Sequence, residues 1–254
     1  MRQIILIAVT LVPFSASAQM GTVRYTHTYP VLYSHYFDYS AARSELVGTE
    51  FVKPPMYATV SRSMVFDTTA SLMYPTDKPH VEPEDRKVSE GEEEVDTTYV
   101  NFRLRTYTES RVLGMDVYLA NDEIPSIPWR LGDEERVYLG LRVEKATAVI
   151  DSTEIEAWFT SEIPIPAGPG LFGGLPGLIL MVTNAASGEV YAADSLLMDE
   201  LVHAIVPPVR GLEVSDGEYI RTRKEVMDED RRLYEQELRD IQEGKITILK
   251  WRGQ

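Results

Sequence analysis

Gly168-Pro169-Gly170-Leu171-Phe172-Gly173-Gly174-Leu175-Pro176-Gly177-Leu178-Ile179-Leu180 decides how the chain reads. Glycines and prolines interleave with large apolar side chains, and the stretch then runs into residues suited to a buried strand. Glycine permits backbone angles and close approaches that a Cβ forbids, and proline holds its own φ. An apolar segment built this way needs a defined tertiary surface to lie against. Two outcomes follow. One is a tight turn feeding a core strand, with Gly173, Gly174 and Gly177 as its structural elements. The other is a surface loop presenting Leu171, Phe172, Leu175 and Pro176, with Trp158 nearby, to a partner or an apolar ligand. The stretch has no lysine and lacks the spacing of a phosphate-cradling loop.

Working outward, period-2 patterns dominate both sides. Val23, Tyr25, His27 and Tyr29 alternate with Arg24, Thr26 and Thr28. Tyr33 to Tyr39 and Met56 to Asp67 read as two more strands, and Tyr99 to Thr108 and Val112 to Leu119 as another two. Ile124 to Pro128 is a proline-bounded connection into Trp129. Arg136 to Ile150 reads as one long strand with a bulge at Gly140. It forms a hairpin with Thr153 to Thr160 through a polar turn at Asp151-Ser152. After the glycine stretch, Gly177 to Thr183 and Glu189 to Ala193 form another hairpin. Leu196 to Val206 is ambiguous between strand and helix.

The C-terminal region differs. Ser215 with Glu218, or Thr222 with Glu225, supplies a capping box. Apolar pairs at Tyr219/Ile220, Val226/Met227 and Leu233/Tyr234 recur every seven residues, giving a narrow stripe on a charged helix of about residues 216–243. A coiled-coil dimer is the weaker reading of so few heptads. Lys245 to Trp251 reads as a closing strand.

The chain starts with Arg2, an apolar run from Ile4 to Val12 and the small residues Ala16-Ser17-Ala18. This is the pattern of a signal peptide over 1–18, too short to span a bilayer. The expected mature chain is one β-rich domain over 19–254, exported to the periplasm or the outer cell surface. With no cysteine in the chain, disulfides and thiolate chemistry are excluded. The formal charge of −15 argues against nucleic acid and anionic headgroups as partners. Residues 75–98 form a proline-containing acidic loop. Its spacing matches no calcium loop, and no metal or cofactor is expected.

Catalytic patterns are sparse. Ser195 or Asp199 with His203 has no nucleophile-elbow glycines around it. His27 and His35 on neighbouring strands could share a metal, yet no third ligand stands at a useful spacing. Trp129, Trp158 and Trp251 read as core anchors.

Gly174-Leu175-Pro176-Gly177-Leu178-Ile179 reproduces the hexapeptide of the GLPGLI family, an exported group found mainly in Bacteroidota. Leu139-Gly140-Leu141, Lys145-Ala146-Thr147, Ala157-Trp158-Phe159-Thr160 and Ile163-Pro164-Ile165 also resemble its flanking positions. The likeness is clear over Trp129 to Thr183 and looser outside. Many relatives carry a cysteine near the position of Val143, so the departure here removes cysteine as a shared requirement. The resemblance implies export and a β-rich domain, and no particular activity.

The expected fold is mainly β: a curved antiparallel sheet or partly open barrel with one long C-terminal helix packed against it. The expected function is a non-enzymatic binding or accessory protein of the cell envelope, taking an apolar ligand or an envelope protein partner. The alternatives are a hydrolase or metal-dependent enzyme using His203 or His27/His35, and a self-associating structural protein.

Overall fold

In the computed structural model, residues 19–30, 57–78, 80–82 and 97–243 are described. The expected signal peptide, the 33–39 aromatic stretch with His35, the centre of the expected acidic loop and the expected strand from Lys245 to Trp251 lie outside them. Thirteen strands and one helix follow in order. The strands are β1 Gly21–Pro30, β2 Tyr57–Phe66, β3 Ala70–Pro75, β4 His80–Glu82, β5 Thr97–Asn101, β6 Thr106–Leu113 and β7 Asp116–Glu123. Then come β8 Arg130–Tyr138, β9 Leu141–Ile150, β10 Thr153–Thr160, β11 Leu178–Asn184, β12 Glu189–Met198 and β13 Leu212–Ser215, with α1 at Asp216–Gln242.

All the strands join one open sheet. Its order is β13-β7-β6-β5-β3-β2-β1-β12-β11-β10-β9-β8, with β4 pairing separately against the start of β2. Every pairing is antiparallel except β13 on β7. Chain connectivity forces this sheet to curl. β7 and β8 stand ten strand spacings apart in that order, roughly 48 Å if the sheet were flat. Residues 124–129 alone connect them, a link that spans at most about 25 Å. The two halves of the sheet therefore face one another, although β8 and β13 never pair.

Three strands expected as continuous are hairpins. Arg136 to Ile150 divides into the end of β8 and all of β9 at Leu139-Gly140, both with positive φ (50° and 80°). That is the geometry of a two-residue hairpin turn rather than a bulge. Val112 to Leu119 divides at Gly114-Met115, and Tyr99 to Thr108 at residues 102–105. Partners flanking a two-residue turn are three residues apart and share a face, so the buried parity inverts across it: Val137 is exposed and Val143 is buried, although both are odd-numbered. The polar turn at Asp151-Ser152 forms as expected, again with both φ positive. Leu196 to Val206 is partly strand: β12 ends at Met198 and an irregular connection follows, opening on Asp199 with a positive φ of 60°. That connection is tied to β1 where the Asp199 N–H donates to the Met20 carbonyl (2.9 Å) and Thr22 Oγ1 to the Glu200 carbonyl (3.0 Å).

The core centres on Val23, Tyr25, Met64, Phe66, Leu178 and Leu180, with Phe159, Leu175, Ile179 and Val182 in a second cluster. The helix opens on the Ser215/Glu218 capping box. Glu218 Oε2 accepts from the Ser215 N–H at 2.9 Å, and Ser215 Oγ accepts from the Glu218 N–H at 3.2 Å. Its first turn docks on the sheet. Tyr219 meets the edge of Tyr118 (centroids 5.7 Å), and Arg111 reaches Asp216 at 2.6 Å while also pairing with Glu109.

Candidate functional site

Residues 161–177 leave the sheet after β10 and return to it at β11. The excursion is stitched down by its own backbone. The Leu178 N–H donates to the Ile163 carbonyl (3.0 Å), Ile179 to Ala167 (2.9 Å), and Gly174 to Pro166 (3.2 Å). Alternation along Ile163-Pro164-Ile165-Pro166-Ala167 buries the two isoleucines and the alanine and leaves the prolines outside. Two glycines make the fit possible. A Cβ at Gly177 would overlap the Thr160 carbonyl, and one at Gly168 would overlap the Phe172 carbonyl.

Side chains from distant strands pin the loop. The Trp129 indole N–H donates to the Gly173 carbonyl at 2.9 Å, and the Gly170 N–H lies 3.0 Å from Met73 Sδ. The Tyr25 hydroxyl donates to the Ile179 carbonyl at 2.6 Å. Burial raises the pKa of that phenol well above its ordinary value, so it stays protonated and keeps donating. Phe172 lies edge-on to Tyr191 (6.2 Å), and Tyr191 stacks on His27 at 3.8 Å.

A cleft of about 270 Å³ opens between this loop and the facing half of the sheet. Gly168 and Gly170 to Gly174 form one wall; Ser71, Val100, Phe102 and Arg105 with Ile124 to Ile127 form the other. The short β7–β8 link that forces the sheet to curl thus also walls the cleft. Apolar side chains from both walls share the lining with the Ser71 and Ser126 hydroxyls and the Arg105 guanidinium.

The residues singled out in the sequence scatter across this geometry. Leu171, Phe172, Gly173 and Gly174 line the cleft. Leu175 is buried at 2% exposure among Phe159, Ile179 and Val182, while its neighbour Pro176 is exposed. Trp158 packs with Val143, Ile163 and Leu178 instead. Its ring is capped by the Arg136 guanidinium at 3.8 Å, and its indole N–H donates to Glu156 at 2.7 Å. The far wall of the cleft was not singled out. Its sequence signals are structural ones: Val100 and Phe102 alternate in the Tyr99 to Thr108 strand pattern, and Ile124 and Ile127 lie in a proline-bounded connection.

The described histidines stand apart. The His27 side chain is 7% exposed, with Nε2 3.0 Å from Glu189 and a buried Nδ1 that has no hydrogen-bond partner. Burial lowers its pKa below the ordinary value despite the hydrogen bond to Glu189, and the charge of Arg62 pushes the same way. His203 is exposed beside Tyr74, with Nδ1 2.8 Å from the Ala204 carbonyl. Among the described residues no three His, Cys, Asp or Glu side chains group as a metal site, and no helix is long and apolar enough to cross a membrane.

Residues 68–181 match the family described as "Protein of unknown function (Porph_ging)". The matched span contains the whole hexapeptide Gly174 to Ile179 and both walls of the cleft. Two solved structures are similar in fold. PNGF-II in a C2 space group gives a TM-score of 0.51 at 16% identity, over 84% of this chain and 34% of that one. PNGF-II in a P21 space group gives 0.52 at 15% identity, over 80% and 33%. This chain thus spans about a third of the length of the solved chains it resembles. No curated protein matches it.

Proposed function

We propose that this chain is an exported GLPGLI-type accessory protein of the cell envelope that holds a small apolar ligand in the cleft under its glycine loop. One observation carries the reading: the 270 Å³ cleft lined by Leu171, Phe172, Val100 and Ile127. Its volume lies near the lower end of small-molecule sites, suiting one ring or a short acyl unit. Ser71 and Arg105 would orient a polar end of that ligand. Support for export comes from the charge, apolar run and small-residue pattern of residues 1–18. Support for the family name comes from the letter-for-letter hexapeptide inside the matched span. A fold that makes up about a third of PNGF-II suits an accessory module.

Ile127→Trp fills the cleft from the β7–β8 link, opposite the glycine loop. Native mass spectrometry of protein purified from its own envelope fraction should show an apolar small molecule on the parent chain and none on this variant. A variant that folds and keeps the same molecule would place the ligand elsewhere. A parent chain with nothing bound would remove the ligand reading.

A further inference from the structure

The C-terminal helix has far more length than its docking uses. Twenty-seven residues extend about 40 Å, and the described anchoring contacts come from Asp216 and Tyr219 in its first turn. Beyond them, Ile220 is 56% exposed, Met227 46% and Leu233 56%. A groove of about 630 Å³ runs along one helix face, with Tyr219, Ile220 and Met227 as its apolar part and Arg223, Lys224, Asp228 and Arg231 among the charged residues beside them. A helix that is charged nearly all round and docked by one turn either bridges to something or stays marginal.

We infer that a second copy of this chain covers that face, its helix running antiparallel. The row from Ile220 through Lys224, Met227 and Arg231 continues by position to 234, 238 and 241, where the sequence has Tyr, Leu and Ile. These steps alternate four and three residues, the spacing of a coiled-coil seam. Charge selects both the occupant and its direction. A parallel pair would set Lys224 against Lys224 and Arg231 against Arg231 in the seam. An antiparallel pair centred on residue 229 instead sets Ile220 level with Leu238 of the partner subunit, Lys224 with the partner's Tyr234, and Met227 with the partner's Arg231. Each cation then meets an aromatic or a thioether, along which its aliphatic stem can lie. The helix is also electrically lopsided. Residues 216–227 carry three acidic and three basic side chains, and residues 228–242 six acidic and three basic. Antiparallel pairing brings Arg221 to the same side of the seam as Glu235 of the partner subunit, and Arg223 to the same side as the partner's Glu237, at both ends of the seam.

Sedimentation velocity of the purified protein tests this, at about 100 µM, where a micromolar helix pair is dimeric. The parent chain should sediment at twice the mass that mass spectrometry gives for the single purified chain. Ile220→Lys with Met227→Lys should sediment as a monomer with the sheet's near-ultraviolet circular dichroism unchanged, because both residues are exposed in the single chain. The cysteine-free sequence makes direction readable by disulfide trapping. Met227→Cys mixed with Arg231→Cys should trap a heterodimer, and Met227→Cys alone should stay uncrosslinked. A monomeric parent, or a double-lysine variant that remains dimeric, overturns the interface. Self-crosslinking of Met227→Cys overturns the antiparallel arrangement.

Discussion

The glycine loop and the C-terminal helix are both apolar-patterned excursions from one sheet, and they treat their apolar residues in opposite ways. The loop makes few regular hydrogen bonds, yet Ile163, Ile165, Ala167 and Leu175 are all buried. It achieves this by letting its backbone approach other backbone closely at Gly168 and Gly177 and by borrowing donors from Trp129 and Tyr25. The helix satisfies its backbone internally and needs no outside donor, and its described anchoring contacts with the sheet come from its first turn. Regularity of backbone and burial of side chains are thus separable. The irregular segment is the more deeply tied to the fold.

That contrast can be broken by mutation. The largest effect belongs to Gly177→Val, whose side chain would occupy the position of the Thr160 carbonyl. Neither backbone can retreat cheaply, so unfolding in urea should reveal a loss of at least about 3 kcal/mol, or no folded protein. Retained stability would mean that the loop is not held by that contact. Leu175→Ala should come next, at about 3 kcal/mol, as a buried large-to-small change. Ile220→Ala on the helix, measured in dilute monomer, should stay within about 0.5 kcal/mol. Similar losses at the two positions would erase the distinction between loop and helix.

A smaller effect sharpens the comparison at the loop's aromatic border. His27 stacks on Tyr191, which in turn meets Phe172. Burial depresses its pKa in the folded state below the ordinary 6.5, so the unfolded chain binds the proton more readily. Its contribution is therefore complete above pH 6.5 and is lost as the pH falls below that value toward the folded pKa. Urea midpoints at about pH 7.5 and about pH 5 should differ less in His27→Gln than in the parent chain. An equal acid shift in both would assign the sensitivity to other groups.

Much of the architecture was legible in local patterns. Alternation located most strand segments, Asp151-Ser152 announced its turn, and Ser215 with Glu218 announced the helix start. The hairpin at Leu139-Gly140 was hidden because Val137, Leu139, Leu141 and Val143 keep a two-residue spacing in the sequence right through the turn, although Val137 and Val143 end on opposite faces. The candidate site was half legible: Leu171 and Phe172 stood out, while Ser71, Val100 and Ile127 did not. They come from other strands and a distant connection, and no local period links them to the glycines.

By itself, the sequence determined that residues 168–180 could follow only a glycine-permitted path into a buried strand, and that a charged, capped helix would follow the strands. Only the tertiary structure decided that Leu175 turns in while Pro176 turns out. It also decided that the sheet curls without closing and that the Ile124 to Ile127 link faces the glycine loop. Backbone preference and side-chain alternation are written residue by residue. Strand order and the meeting of two distant walls depend on pairings that the chain settles only when it folds.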